Sequence, residues 1–83
     1  MSHHRNDDLN WNELSIEDIL ELAIADEEEA REYYRHAAEC TGNMHTRRML
    51  LKLSAMEQTH AAQLRQELEE LHLQREEETG IAD

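Results

Sequence analysis

Glu57 and His60 stand three residues apart in the run Ala55-Met-Glu-Gln-Thr-His60, and Glu27 opens the run Glu27-Glu-Glu-Ala30. Residues three apart on a helix lie on one face, a turn above each other, so Glu57 and His60 would point to one place. Carboxylate plus imidazole is a donor set for iron or manganese rather than for thiol-seeking metals. The residues around them sharpen that reading. Leu50, Leu53, Leu64, Leu68 and Leu71 share a helical stripe with Glu57 and His60, widened by Met49, Met56 and Ala61. Ile16, Leu20, Ala23, Ala30, Tyr34 and Ala37 draw a similar stripe around Glu27. A carboxylate on an apolar stripe is costly to bury unless it is paired or bound to a cation. Three ionisable residues on two apolar stripes therefore ask for a metal ion. On its own, a Glu-x-x-His is weak, and a polar residue on a stripe also serves to set helix register.

Two helices must carry these residues. The chain has no proline and two glycines, Gly42 and Gly80, in a sequence rich in Ala, Leu, Glu, Gln and Arg. Ser15 with Asp18 three residues on makes a capping box, and Leu14 can staple to Ile19. The first helix is expected to end near Thr41, with Gly42 in the left-handed position past its end. Asn43 can cap the second helix, which is expected to fray over Glu76–Thr79 before Gly80. Residues 1–14 read as a polar arm docking through Leu9, Trp11 and Leu14, residues 15–79 as the helical domain, and residues 80–83 as a tail. Glu27 lies about 15 residues before the turn and Glu57 about 14 after it, which puts them at one height in a hairpin.

One hairpin brings too few ligands for a closed dinuclear site and leaves its stripe facing water. Two copies solve both problems. A bundle of four helices can hold two metal ions with a Glu from each of two helices and a Glu-x-x-His from each of the others. The fold class expected is therefore all-α, an antiparallel two-helix hairpin that dimerises into a four-helix bundle. Four carboxylates would then balance two divalent ions, with two neutral imidazoles completing the donors.

The whole chain agrees with this. Eighty-three residues make one small domain, of a size that commonly needs a metal or a partner chain. Twenty acids against eight bases give a formal charge of −12, which argues against nucleic acid and against anionic membranes as partners. The single Cys40 allows no internal disulfide and no CxxC metal site. No apolar run reads as a signal peptide or a membrane span, so a cytoplasmic protein is expected.

The runs Glu27-Glu-Glu-Ala-Arg-Glu-Tyr-Tyr34 and Ala55-Met-Glu-Gln-Thr-His60 resemble the rubrerythrin-like branch of the ferritin-like superfamily. More closely, the chain is similar to the encapsulated ferritins, two-helix half ferritins whose subunits pair to complete a ferroxidase centre. The resemblance covers roughly residues 15–75. It implies oxidation of Fe(II) by dioxygen or peroxide, with two irons per homodimer; manganese, zinc or calcium would be stand-ins. It also implies a ring of dimers, typically a decamer, and a surrounding encapsulin nanocompartment that receives the oxidised iron. Residues 76–83 contain no Gly-Ser-Leu-type encapsulation peptide.

By this resemblance Glu27, Glu57 and His60 are iron ligands, and Tyr34 lies against the centre, hydrogen-bonding a ligand or water. Asp26 and Glu29 match acids of a secondary site that admits metal. Asp26 is shorter than the family's glutamate there, and Tyr33 stands where the family has tryptophan. Outside that pattern, His36, His45 and His72 read as surface or turn residues, Cys40 as a small packed one. Arg47, Arg48 and Lys52 read as a basic cluster for acids of a neighbouring dimer or for solvent. The same sequence would also serve a non-enzymatic helical scaffold, with the three ionisable residues setting register, or a passive buffer of divalent metal.

Overall fold

The computed structural model describes residues 10–81, with side chains as far as Glu76. It is a hairpin of two helices, α1 (Ile16–Cys40) and α2 (Met44–Ile81), packed against each other. α1 starts where its sequence says. The Ser15 hydroxyl accepts from the Asp18 N–H at 3.1 Å, and the Asp18 carboxylate accepts from the Ser15 N–H at 3.1 Å. Glu17 and Asp18 add negative charge at the positive end of the helix dipole.

The turn differs from expectation. α1 ends on Thr41 in an extended conformation (φ −87°, ψ 139°), and neither Gly42 nor any other described residue has positive φ. The reason is Arg47, in the first turn of α2. Its guanidinium reaches back to donate to the carbonyls of Ala38 (3.1 Å) and Thr41 (2.8 Å). The Ala38 carbonyl is one that a left-handed glycine cap at Gly42 would otherwise satisfy. Arg47 is therefore a helix cap and not part of an outward-facing basic cluster. Asn43 caps α2 as expected, its side-chain oxygen accepting from the Thr46 N–H at 2.9 Å.

This assignment separates two arginines. Arg35 makes close contacts with Glu32 (2.8 Å) and Glu39 (2.6 Å), but all three side chains are more than half exposed. Among the described residues Arg47 has no carboxylate contact, and it instead satisfies the carbonyls of Ala38 and Thr41 in a half-buried place. Exposed ion pairs contribute about 0–1 kcal/mol, whereas hydrogen bonds from a charged donor contribute about 1.5–3 kcal/mol. Arg47→Ala should therefore lower the thermal midpoint of the metal-free protein more than Arg35→Ala. Circular dichroism melts of the two variants check it, and equal shifts would mean that water replaces Arg47 freely.

The helices meet through small residues. Ile24, Ala30, Ala38 and Ala61 are buried, and the buried Ser54 hydroxyl donates to the carbonyl of Arg31 at 3.1 Å. Ion pairs Arg65–Glu28 and Arg75–Glu17 tie the far ends together. The larger stripe residues fare differently. Leu20, Leu50, Leu53, Leu64, Leu68 and Leu71 are only half-buried, and Met49 and Met56 are exposed. The hairpin is 12 Å deep in its thin direction, a single helix layer, and cannot enclose them.

One further expectation needs correcting. α2 does not stop before Gly80 but runs through it to Ile81. Glycine in a helix interior is a penalty of about 1 kcal/mol, not a stop signal, when its φ stays negative. On the single chain Trp11 is half-exposed and Leu14 half-buried. Leu9 and the first part of the arm, like residues 82–83 of the tail, lie outside the described residues.

Candidate metal centre

Small residues make room for the large polar ones. Ala30 lies one turn from Glu27, and Ser54 and Ala61 flank Glu57 by a turn on either side; all three are buried. The close approach they permit lets α1 present Glu27 to the face where α2 presents Glu57 and His60. Donor atoms of the three residues all lie within 4.8 Å of one another. A cation with bonds near 2.1 Å holds its ligands about 3 Å (adjacent) to 4.2 Å (opposite) apart, so small rotamer adjustments close this set around one.

Burial grades across the cluster. Glu57 is 6% exposed, the Glu27 side chain 21% and the His60 side chain 49%. The site is thus deepest at Glu57 and open beside His60. His60 Nδ1 sits 3.5 Å from Glu27 Oε2, at the outer limit of a contact, and that oxygen is buried without a hydrogen bond. A hydrogen bond to Glu57 raises the pKa of Glu27; burial and the Glu57 charge push the same way, and His60 opposes them. Two carboxyls held together in this way must share a proton or a cation.

Next to the cluster an open groove of about 580 Å³ is lined by Glu27, His60, Gln63, Leu64, Gln66 and Glu67. Gln63 and Glu67 continue the His60 face by one and two turns. Their spacing of three and seven from His60 was visible in the sequence, but neither interrupts an apolar stripe, so nothing singled them out.

The remaining candidates are placed as follows. Asp26 is buried and Glu29 exposed, and neither belongs to the cluster. Tyr34 is half-buried and packs edge-to-face on Tyr33 with ring centroids 5.6 Å apart. Among the described residues no hydrogen bond joins its hydroxyl to Glu27, Glu57 or His60. His36, His45 and His72 are exposed, as expected. Cys40 is exposed rather than packed, its sulfur 3.8 Å from His36 Nε2. It lies on a part of α1 that α2 does not cover.

A helical hairpin with a glutamate on one helix and a Glu-x-x-His opposite it has the form of half a dinuclear carboxylate bundle. The family model for rubrerythrin matches residues 18–81, and the chain belongs to that family. It is a rubrerythrin-like, ferritin-like protein, and its family is one that binds iron. Glu27, Glu57 and His60 form a group able to hold a metal ion. No curated protein and no solved structure matches the chain. Among the described residues no helix is long and apolar enough to cross a membrane.

Proposed function

We propose that two copies of this hairpin pair to form a ferroxidase, oxidising Fe(II) to Fe(III) at a site to which each copy gives Glu27, Glu57 and His60. The carrying observation is the convergence of these three side chains within 4.8 Å, two of them acids on a partly buried face. Two copies would supply four carboxylates and two imidazoles, enough to bind two ferrous ions at charge balance. Pairing would also cover the half-buried leucine stripe.

In this reading ferrous iron is the substrate. Glu57, the most buried donor, fixes the position of the ion, and Glu27 adds the second carboxylate that balances its charge. His60 closes the open side as a neutral ligand, facing the groove through which iron and oxidant pass. Each Fe(II) loses one electron. The two electrons and two protons reduce dioxygen to hydrogen peroxide, or hydrogen peroxide to two waters. The protein contributes position and charge, and iron contributes the redox change.

Anaerobic titration with Fe(II) should saturate near one iron per chain, about two per pair. Aeration should then generate ferric absorbance faster than in a protein-free control. Saturation near two irons per isolated chain would refute the shared site. Binding without a rate difference would leave a passive buffer.

A further inference from the structure

The groove beside the metal cluster leads away from it. Glu27 and His60 stand at one end, and Gln63, Gln66 and Glu67 line its continuation along α2, away from the turn. Gln63 follows His60 by three residues and Glu67 by seven, which sets them about 4.5 and 10.5 Å further along one helix face. The volume of about 580 Å³ exceeds that of six waters, roughly 180 Å³ at about 30 Å³ each. A divalent ion therefore fits inside with its inner hydration shell.

Charge singles out Glu67. It is the carboxylate of this lining that lies outside the metal cluster, and it is exposed. Glu28 and Glu17, on the facing helix, are neutralised by Arg65 and Arg75. Among the described residues the Glu67 side chain has no ion pair and no hydrogen bond. Exposure falls from Glu67 through His60 and Glu27 to Glu57, and donors multiply in the same direction, from one carboxylate to two and an imidazole. An ion entering at Glu67 thus moves toward stronger binding.

Resting on the ferroxidase reading above, we infer that Glu67 receives the ferrous ion, and that the groove conducts it past Gln63 and Gln66 to His60 and Glu27. A cleft lined by charge of one sign and walled by protein of low dielectric focuses its field and raises the rate at which the opposite charge arrives. Glu67 holds the ion through its waters. The amide oxygens of Gln63 and Gln66 accept hydrogen bonds from those waters without carrying charge, so they guide the ion and do not detain it. Water is exchanged for donor atoms at the cluster. Glu67 is therefore a positioning residue: it sets how fast the site fills, not how many ions it holds or how fast they are oxidised.

Stopped-flow absorbance of cobalt(II), mixed under argon with the full chain, reads entry without any oxidation. Glu67→Gln should slow cobalt association about three- to tenfold at low salt and leave the amount bound at saturation unchanged. Glu69→Gln removes the same charge from an exposed position of the same helix outside the groove, and should stay close to wild type. At about 1 M salt, where the screening length is about 3 Å, the Glu67→Gln deficit should vanish. With ferrous iron and air, Glu67→Gln should raise KM by a similar factor at unchanged kcat. Equal slowing by the two variants would make net charge the cause, and an unchanged association rate for Glu67→Gln would rule the groove out as the route. A fall in kcat at unchanged KM would place Glu67 at the chemistry instead. Glu57→Ala should abolish the cobalt signal; a signal that survives it would put the metal elsewhere and leave the groove without a destination. The two readings fail separately. Slower cobalt entry in Glu67→Gln, with wild-type iron oxidation no faster than the protein-free control, refutes the ferroxidase alone. Faster oxidation with equal cobalt entry refutes the role of Glu67 alone.

Discussion

Glu57→Ala should cost ferrous oxidation about a hundredfold or more, while Glu29→Ala should stay close to wild type. Both variants remove one negative charge from a chain of formal charge −12, so a general loss of attraction for cations would affect them alike. Position distinguishes them. Glu57 is 6% exposed and its donor atoms sit with those of Glu27 and His60. Glu29 is exposed and outside that group. Changes in the outer surroundings of a metal site already cost about 10–100-fold in affinity or activity, and loss of a direct ligand should cost at least the upper end. His60→Ala should resemble Glu57→Ala, because the two act from adjacent turns of one helix on one ion. Stopped-flow ferric absorbance on the three variants is the measurement. Comparable losses for Glu29→Ala and Glu57→Ala would place the centre elsewhere on α1.

The parts of this protein that were legible in its sequence are those governed by local chemistry. Ser15 with Asp18, and Asn43 with Thr46, are caps made within three residues, and both form as read. The convergence of Glu27, Glu57 and His60 needed only helical periodicity and equal distances from the turn. What failed depended on contacts made across the hairpin. Gly42 is not left-handed because Arg47 arrives from the next helix to take the carbonyls of Ala38 and Thr41, and no local rule at Gly42 encodes that. Gly80 was read as a boundary from composition alone, whereas a helix continues wherever φ remains negative. Asp26 is buried beside the exposed Ala25, so its burial does not follow from the apolar stripe. Cys40 followed the common burial of free cysteine, which cannot register that α2 leaves that part of α1 uncovered.

Metal should drive assembly as well as turnover. Pairing two metal-free hairpins through the cluster would bring four carboxylates together on a surface being desolvated. Within one copy Glu57 already holds Glu27 above its ordinary pKa. An acid whose pKa is raised in the associated state contributes most below its ordinary pKa and loses that contribution as pH rises through the raised value. Above that raised value the metal-free pair should associate weakly, and acidifying through it should strengthen association. Divalent metal reverses the dependence, because the ion takes the place of the proton and is expelled as pH falls. At neutral pH a metal bound only by the paired form stabilises it by about 2.7 kcal/mol per site at a hundredfold excess over Kd, roughly a hundredfold in the dimerisation constant. Glu57→Gln keeps the shape and removes one charge from each copy. It should pair more readily than wild type without metal and respond less when metal is added. Native mass spectra or sedimentation with zinc and with chelator decide it. If wild type keeps one oligomer distribution under both conditions, the carboxylates of the two copies do not meet, and the cluster must be completed within a single chain.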